Sequence, residues 1–247
     1  AARAQALGTA FVESLTLGVG QFCTNPGLVI GIAGNGLDAF AHAAAQALAT
    51  KGAGAMLTPG IRQAYDRGVA ALAAQGGVAT LACGAAATGP SQAQGALLRT
   101  DAATFLANQA LEDEVFGPAS LLVACRDEAE LLAVAAHVAG QLTATLQLDE
   151  ADQALACRLL PVLETKAGRI LANGWPTGVE VCHAMVHGGP FPATTCPQHT
   201  SVGSRAIERF LRPVCYQDLP PWLLPEAMQD GNPLGLWRLV EGQPRHA

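Results

Sequence analysis

Charged side chains are scarce in this chain. They make up 14% of its 247 residues, sum to a formal charge of −6 and form no basic run. Such a surface does not match nucleic-acid phosphates or an anionic membrane, so neither is an expected partner; a small soluble substrate fits better. No apolar stretch approaches the length of a membrane span. The N-terminal segment carries Arg3, Glu13 and Ser14 in place of an uninterrupted hydrophobic signal region, and the chain reads as cytoplasmic. A Cys-x-x-Cys pair is also missing. The 7 cysteines are odd in number and irregularly spaced, which argues against a disulfide framework and against a zinc site. No Gly-x-Gly-x-x-Gly stands at a strand-to-helix junction, so no dinucleotide-binding unit of that kind is expected. There is no internal repeat.

What the chain does have is apolar bulk, 50% hydrophobic, enough for a sizeable core. Leu7, Phe11 and Leu15 recur at every fourth position, so residues 1–17 read as an amphipathic helix ending at Gly18 and Gly20. Residues 28–33 suit a buried strand, and residues 37–50 follow as an alanine-rich helix with Asp38 in its first turn. The alternation continues with helix over 62–75, strands over 78–83 and 120–125, helix over 128–138, strand over 142–148, helix over 151–166 and strand over 169–173. Strand and helix alternating at this spacing predict an α/β layered domain, a largely parallel sheet flanked by helices. Pro161 should kink or restart its helix. Beyond Asn173, glycine and proline crowd a long irregular segment of the kind that lines a site. A short helix over 207–211 and a strand over 214–217 are expected before a proline-rich tail.

The chemistry concentrates at Gly18-Val19-Gly20-Gln21-Phe22-Cys23-Thr24-Asn25-Pro26-Gly27, a cysteine in a tight turn between helix and strand. A thiol so placed can be partly exposed, and nearby unpaired backbone N–H groups can activate it and hold an oxyanion. Free cysteine is also a common small core residue, the reading that suits Cys83 and Cys125 in their apolar runs. His183 and His187 stand four apart, a spacing that could hold a metal on a helix. The surrounding glycines and prolines oppose a helix there, no acidic pair completes a zinc set, and no metal is expected.

Two further segments give Cys23 its context. One is Glu112-Asp113-Glu114-Val115-Phe116-Gly117-Pro118; the other runs from Asn173-Gly174-Trp175-Pro176 through Val186-His187-Gly188-Gly189-Pro190-Phe191-Pro192. With Gln21-Phe22-Cys23, in that order and at those separations, they resemble the catalytic half of an aldehyde dehydrogenase, nearly end to end. The third segment, with Thr200-Ser201-Val202-Gly203-Ser204 and the residues through Pro213, is most similar to the ketoglutarate-semialdehyde dehydrogenase branch, near the NADP-linked fatty-aldehyde enzymes.

The resemblance implies a fold of aldehyde dehydrogenase type, with residues 1–205 as the catalytic domain and 206–247 as a C-terminal oligomerisation strand and irregular tail. It implies Cys23 as the nucleophile that oxidises a semialdehyde or other aliphatic aldehyde through a thiohemiacetal and a thioester, with NADP or NAD as cofactor. It assigns Glu114 to the nicotinamide ribose and Phe116 to packing beside the cofactor; taken alone, residues 112–114 are equally a solvated acidic run. His187, ahead of the Gly-Gly-Pro-Phe-Pro loop, is the candidate for proton transfer or cofactor binding, or simply holds the loop. The family's water-activating Glu and its side-chain Asn oxyanion donor lie upstream of the cysteine and have no match here. The implied partners are an aldehyde substrate, an N-terminal cofactor domain missing from this sequence, and further copies of the chain. A cofactor-independent thiol hydrolase or acyl transferase using Cys23 with His187, and a non-catalytic assembly module, are the alternatives.

Overall fold

The computed structural model describes residues 3–178 and 181–246. The chain divides into two compact units, Ala1–Ala206 and Ile207–Ala247.

In the first unit the strands are β1 (Leu28–Ile32), β2 (Gly54–Ala55), β3 (Ala79–Cys83), β4 (Gln92–Ala93), β5 (Ala96–Asp101), β6 (Ala119–Cys125), β7 (Gln141–Leu146) and β8 (Ala167–Ala172). The helices are α1 (Ala4–Thr16), α2 (Asn35–Ala49), α3 (Pro59–Ala73), α4 (Ala102–Ala107), α5 (Glu128–His137) and α6 (Gln153–Glu164). The main sheet has the order β1-β6-β5-β3. β6 runs parallel to both β1 and β5, while β3 joins antiparallel to β5. β7 and β8 form a second parallel pair, and β2 with β4 a short antiparallel one. The structure is thus the layered α/β arrangement expected, with a mostly parallel central sheet flanked by helices.

The central strand β6 is buried from Ala119 to Val123 and apolar there except for Ser120, as a strand covered on both faces requires. On one face α1 and α2 bring Phe11, Leu15, Phe40 and Leu48 against Leu97 and Leu122. On the other, Tyr65, Leu72, Phe105 and Val134 close over Leu98, Leu121 and Val123. Each such side chain contributes about 1.5–3 kcal/mol by leaving water. Local chemistry sets the helix starts. Thr58 caps α3 by accepting from Ile61 N at 3.2 Å ahead of Pro59, and Asp127 caps α5 by accepting from Glu130 N at 2.9 Å.

Several expectations are corrected. β1 is half-buried along its length, because no backbone pairing joins it to β7 among the described residues and a cavity of about 560 Å³ lies between the two strands. α6 runs through Pro161 without a restart: the bond forfeited would have gone to the carbonyl of Cys157, an exposed residue where water can substitute. Strand β5 and helix α4 are additions to the sequence reading.

The second unit begins in the 3₁₀ segment Ser204–Phe210, where the sequence predicts a short helix, and holds two strands, β9 (Arg238–Val240) and β10 (Gln243–Arg245), paired as an antiparallel hairpin. No strand forms at residues 214–217. Val214 and Tyr216 stay 56% and 42% exposed, so that stretch has neither a partner edge nor a buried face. Asn232 organises the unit, donating to the carbonyls of Leu236 and His246 and accepting from Leu236 N.

Candidate active site

The Cys23 turn is built by the backbone that precedes it. α1 gives way to the 3₁₀ segment Leu17–Gly20, in which Gly18, Val19 and Gly20 all take positive φ, 55°, 60° and 65°. A β-branched residue at Val19 makes this a strained reversal, a feature that clusters at functional sites. Gly20 has a second reason to lack a side chain, since a Cβ there would run into the Gly117 backbone and the nitrogen of Pro118. The turn is then pinned on two sides. Thr24, buried, donates from its hydroxyl to the Pro176 carbonyl at 2.8 Å, and Asn25 Nδ2 donates to the Gly117 carbonyl at 3.0 Å. Arg169 donates to the same Pro176 carbonyl. Cys23 is left exposed at the apex.

The Gly-Gly-Pro-Phe-Pro loop reaches Cys23 by close backbone packing. Side chains at Gly140 or Gly168 would collide with the carbonyls of Pro190 and Phe191 or of Gly188, so these two glycines let the loop lie against the starts of β7 and β8. His187 thereby comes to Cys23, with Nε2 at 3.3 Å from Sγ. Its neighbour in sequence goes elsewhere: His183 Nδ1 bonds the Ser204 hydroxyl at 2.6 Å. Among the described residues no group of three or more His, Cys, Asp or Glu side chains is close enough to share a metal. Val179 and Glu180, part of the third segment, lie outside the described residues.

Glu114 and Phe116 line a cavity of about 510 Å³ together with Cys23, Asn25 and Gln141. Both are exposed to it, Phe116 at 40%. Glu112, two residues earlier in the same acidic run, has a structural task. Its carboxylate meets His137 Nε2 at 2.9 Å and accepts from Ala139 N at 2.9 Å, tying the segment to the end of α5. Nothing in the sequence separates Glu112 from its two acidic neighbours; only the long-range partners do. Asn173, at φ 56°, accepts from Leu148 N and from Arg3, each at 3.0 Å, and so holds the end of β7 to the start of α1.

Away from the site, burial first, with Glu130 and Asp127 adding, pushes the Cys125 thiol up to about 11. It is a neutral core group. Burial likewise pushes the Tyr65 phenol up, with Asp66 and then Cys83 adding; its hydroxyl donates to the Gln94 carbonyl at 2.6 Å beside Gly117.

Of the four residues singled out from sequence, Cys23, Glu114 and Phe116 line one cavity, and the fourth, His187, sets its imidazole against the thiol. Comparison with known proteins places this arrangement beside dehydrogenases. The chain is 62% identical over 243 residues to alpha-ketoglutaric semialdehyde dehydrogenase 2 of Azospirillum brasilense, a match that takes in 98% of this chain and 46% of the relative. It is 49% identical over 242 residues to the alpha-ketoglutaric semialdehyde dehydrogenase of Acinetobacter baylyi, again 98% of this chain and 46% of the relative. Among solved structures it is similar to lactaldehyde dehydrogenase from Escherichia coli, with TM-score 0.67 and 18% identity over 84% of this chain and 43% of that one. It is also similar to proline utilization A from Bdellovibrio bacteriovorus, with TM-score 0.68 and 19% identity over 86% of this chain and 22% of that one. No protein-family model matches. The chain is similar over nearly all of its own length to these two semialdehyde dehydrogenases, has the fold of the solved aldehyde dehydrogenase structures, and spans about half the length of the curated relatives it matches.

Proposed function

We propose that this chain is the cysteine-bearing catalytic part of an NAD(P)-dependent dehydrogenase that oxidises a semialdehyde, with 2,5-dioxopentanoate the first candidate, or another aliphatic aldehyde. The observation that carries the reading is the 3.3 Å contact between Cys23 Sγ and His187 Nε2 at a cavity that also holds Glu114 and Phe116. His187 takes the thiol proton at Nε2, and the thiolate adds to the aldehyde carbon, moving the carbonyl electrons onto oxygen. The Cys23 backbone N–H donates to that oxyanion. Loss of hydride from the resulting thiohemiacetal re-forms the carbonyl as a thioester on Sγ, and water cleaves it to carboxylate and free thiol.

The cavity's lining suits the nicotinamide riboside end of NADP or NAD, since the Glu114 carboxylate can accept from two adjacent ribose hydroxyls and Phe116 offers an apolar face. The cofactor, when bound, supplies the hydride acceptor. The water-activating carboxylate and the side-chain oxyanion donor belong, on this reading, to the part of the relatives that the chain does not span. That part would also carry most of the cofactor site as an N-terminal domain, and the C-terminal segment 206–247 would join copies of the chain. The working location is cytoplasmic.

The test is a chimera in which this chain replaces the matching part of the Azospirillum enzyme, assayed for NADP or NAD reduction with 2,5-dioxopentanoate. Reduction that disappears with Cys23→Ser supports the reading. A folded chimera that binds nucleotide but leaves it oxidised, beside an active parent, overturns it.

The same thiol–imidazole contact favours a second reading, a cofactor-independent thiol hydrolase. Turnover of an activated ester by the chain alone, abolished by His187→Ala, would select it.

A further inference from the structure

A catalytic imidazole is usually aimed by a third group on its far nitrogen. Among the described residues His187 has none: Nδ1 is buried and finds no hydrogen-bond partner there. Its ring therefore takes its direction from the backbone that carries it, and that backbone lies in a Gly- and Pro-rich loop outside any helix or strand. What fixes it comes from thirteen residues further on. The His187 N–H donates to the Thr200 hydroxyl at 2.9 Å, and the His187 carbonyl accepts from Ser201 N at 3.1 Å and from the Ser201 hydroxyl at 2.9 Å.

The Thr200 hydroxyl has no freedom to do otherwise. Thr200 is only 6% exposed; its oxygen accepts from His187 N and, at 3.4 Å, from Val202 N, while its own proton goes to the Val202 carbonyl at 2.9 Å. Acceptor and donor roles are both committed, so rotation of the hydroxyl would leave a part-buried N–H or carbonyl unpaired. Both backbone polar groups of His187 are thus bound by two adjacent residues, and the one unbound direction is that of the side chain toward Cys23.

We propose that Thr200 and Ser201 are positioning residues that aim His187 at Cys23, standing in for the third member that this thiol–imidazole pair lacks. The inference rests on the reading of His187 as the proton acceptor for Cys23.

The test is the rate of Cys23 alkylation by iodoacetamide, followed by mass spectrometry across pH on the chain as it stands. Other exposed cysteines serve as internal references. Thr200→Val keeps the shape of the side chain and removes the hydroxyl's hydrogen bonds to His187 and Val202. It should lose the part of the pH profile that His187→Ala loses, at least about tenfold in rate at neutral pH, while Thr200→Ser retains it. Ser201→Ala, which keeps the backbone donor, should fall between. Thr200→Val or Ser201→Ala with a wild-type profile, beside a changed His187→Ala profile, would overturn the positioning role alone. A His187→Ala profile identical to wild type would overturn the His187 reading and the inference with it. Should Thr200→Val not fold, Ser201→Ala decides.

Discussion

Asn25 donates through Nδ2 to the carbonyl of Gly117 at 3.0 Å, so the thiol turn and the Glu114–Phe116 segment are held by one hydrogen bond between residues 92 positions apart. The contact sits where Gly20 already meets the Gly117 backbone. The two motifs that flank the cavity therefore form one corner, which sets how far the thiol turn stands from Glu114 and Phe116.

Breaking that corner should cost stability in a graded way. Asn25→Ala removes a partly buried hydrogen bond, worth about 1–2 kcal/mol, and Asn25→Asp costs more because it turns a carboxylate toward the Gly117 carbonyl. Urea denaturation at neutral pH checks both, with Asn25→Asp expected to have the lower midpoint.

The loop that carries His187 depends on two glycines. Gly140→Ala and Gly168→Ala push a methyl group into loop carbonyls and should each cost about 1–3 kcal/mol. Gly76→Ala, where a Cβ meets nothing within 4 Å, should change stability by less than about 0.5 kcal/mol. Thermal melts rank the three. If the loop is held as described, the two destabilised variants also lose the His187-dependent part of Cys23 alkylation, and Gly76→Ala keeps it.

Cys125 makes the fold sensitive to alkali. Its thiol is raised from 9.0 to about 11 by burial, so between those values the unfolded chain releases a proton that the folded chain retains. The unfolded state then binds fewer protons and stability falls as pH rises, by on the order of 2 kcal/mol across the window from this group. The contribution is intact below pH 9. Urea denaturation at pH 8 and pH 10.5 should show the loss in wild type and less of it in Cys125→Ala, whose stability at pH 8 is itself reduced by the vacated volume.

Much of the layered fold was legible because each element carries its own period: Leu7, Phe11 and Leu15 on α1, the apolar run from Leu121 in β6, the acidic first turn of α5. β5 was not, because its polar end is explained only by distant partners. Arg99 pairs with Asp38 at 3.1 Å and the Thr100 hydroxyl donates to the Gly77 carbonyl at 2.9 Å. The strand expected over residues 214–217 failed for the opposite reason, local propensity without an edge to pair with. At the site, Cys23, His187, Glu114 and Phe116 are readable from their motifs. The residues that hold them, Asn25, Glu112, Thr200 and Ser201, are ordinary polar residues whose roles appear only when segments far apart in sequence are brought together.

The central claim is that Cys23 captures an aldehyde. The most direct measurement is the rate at which iodoacetamide alkylates Cys23 as 2,5-dioxopentanoate is titrated in, resolved by peptide mass spectrometry against the other exposed cysteines. Reversible thiohemiacetal formation predicts that the semialdehyde slows alkylation at Cys23 alone, in a saturable manner, and that its carboxylate counterpart does not. Alkylation of Cys23 that is indifferent to the aldehyde, or slowed equally at every exposed cysteine, would contradict the account.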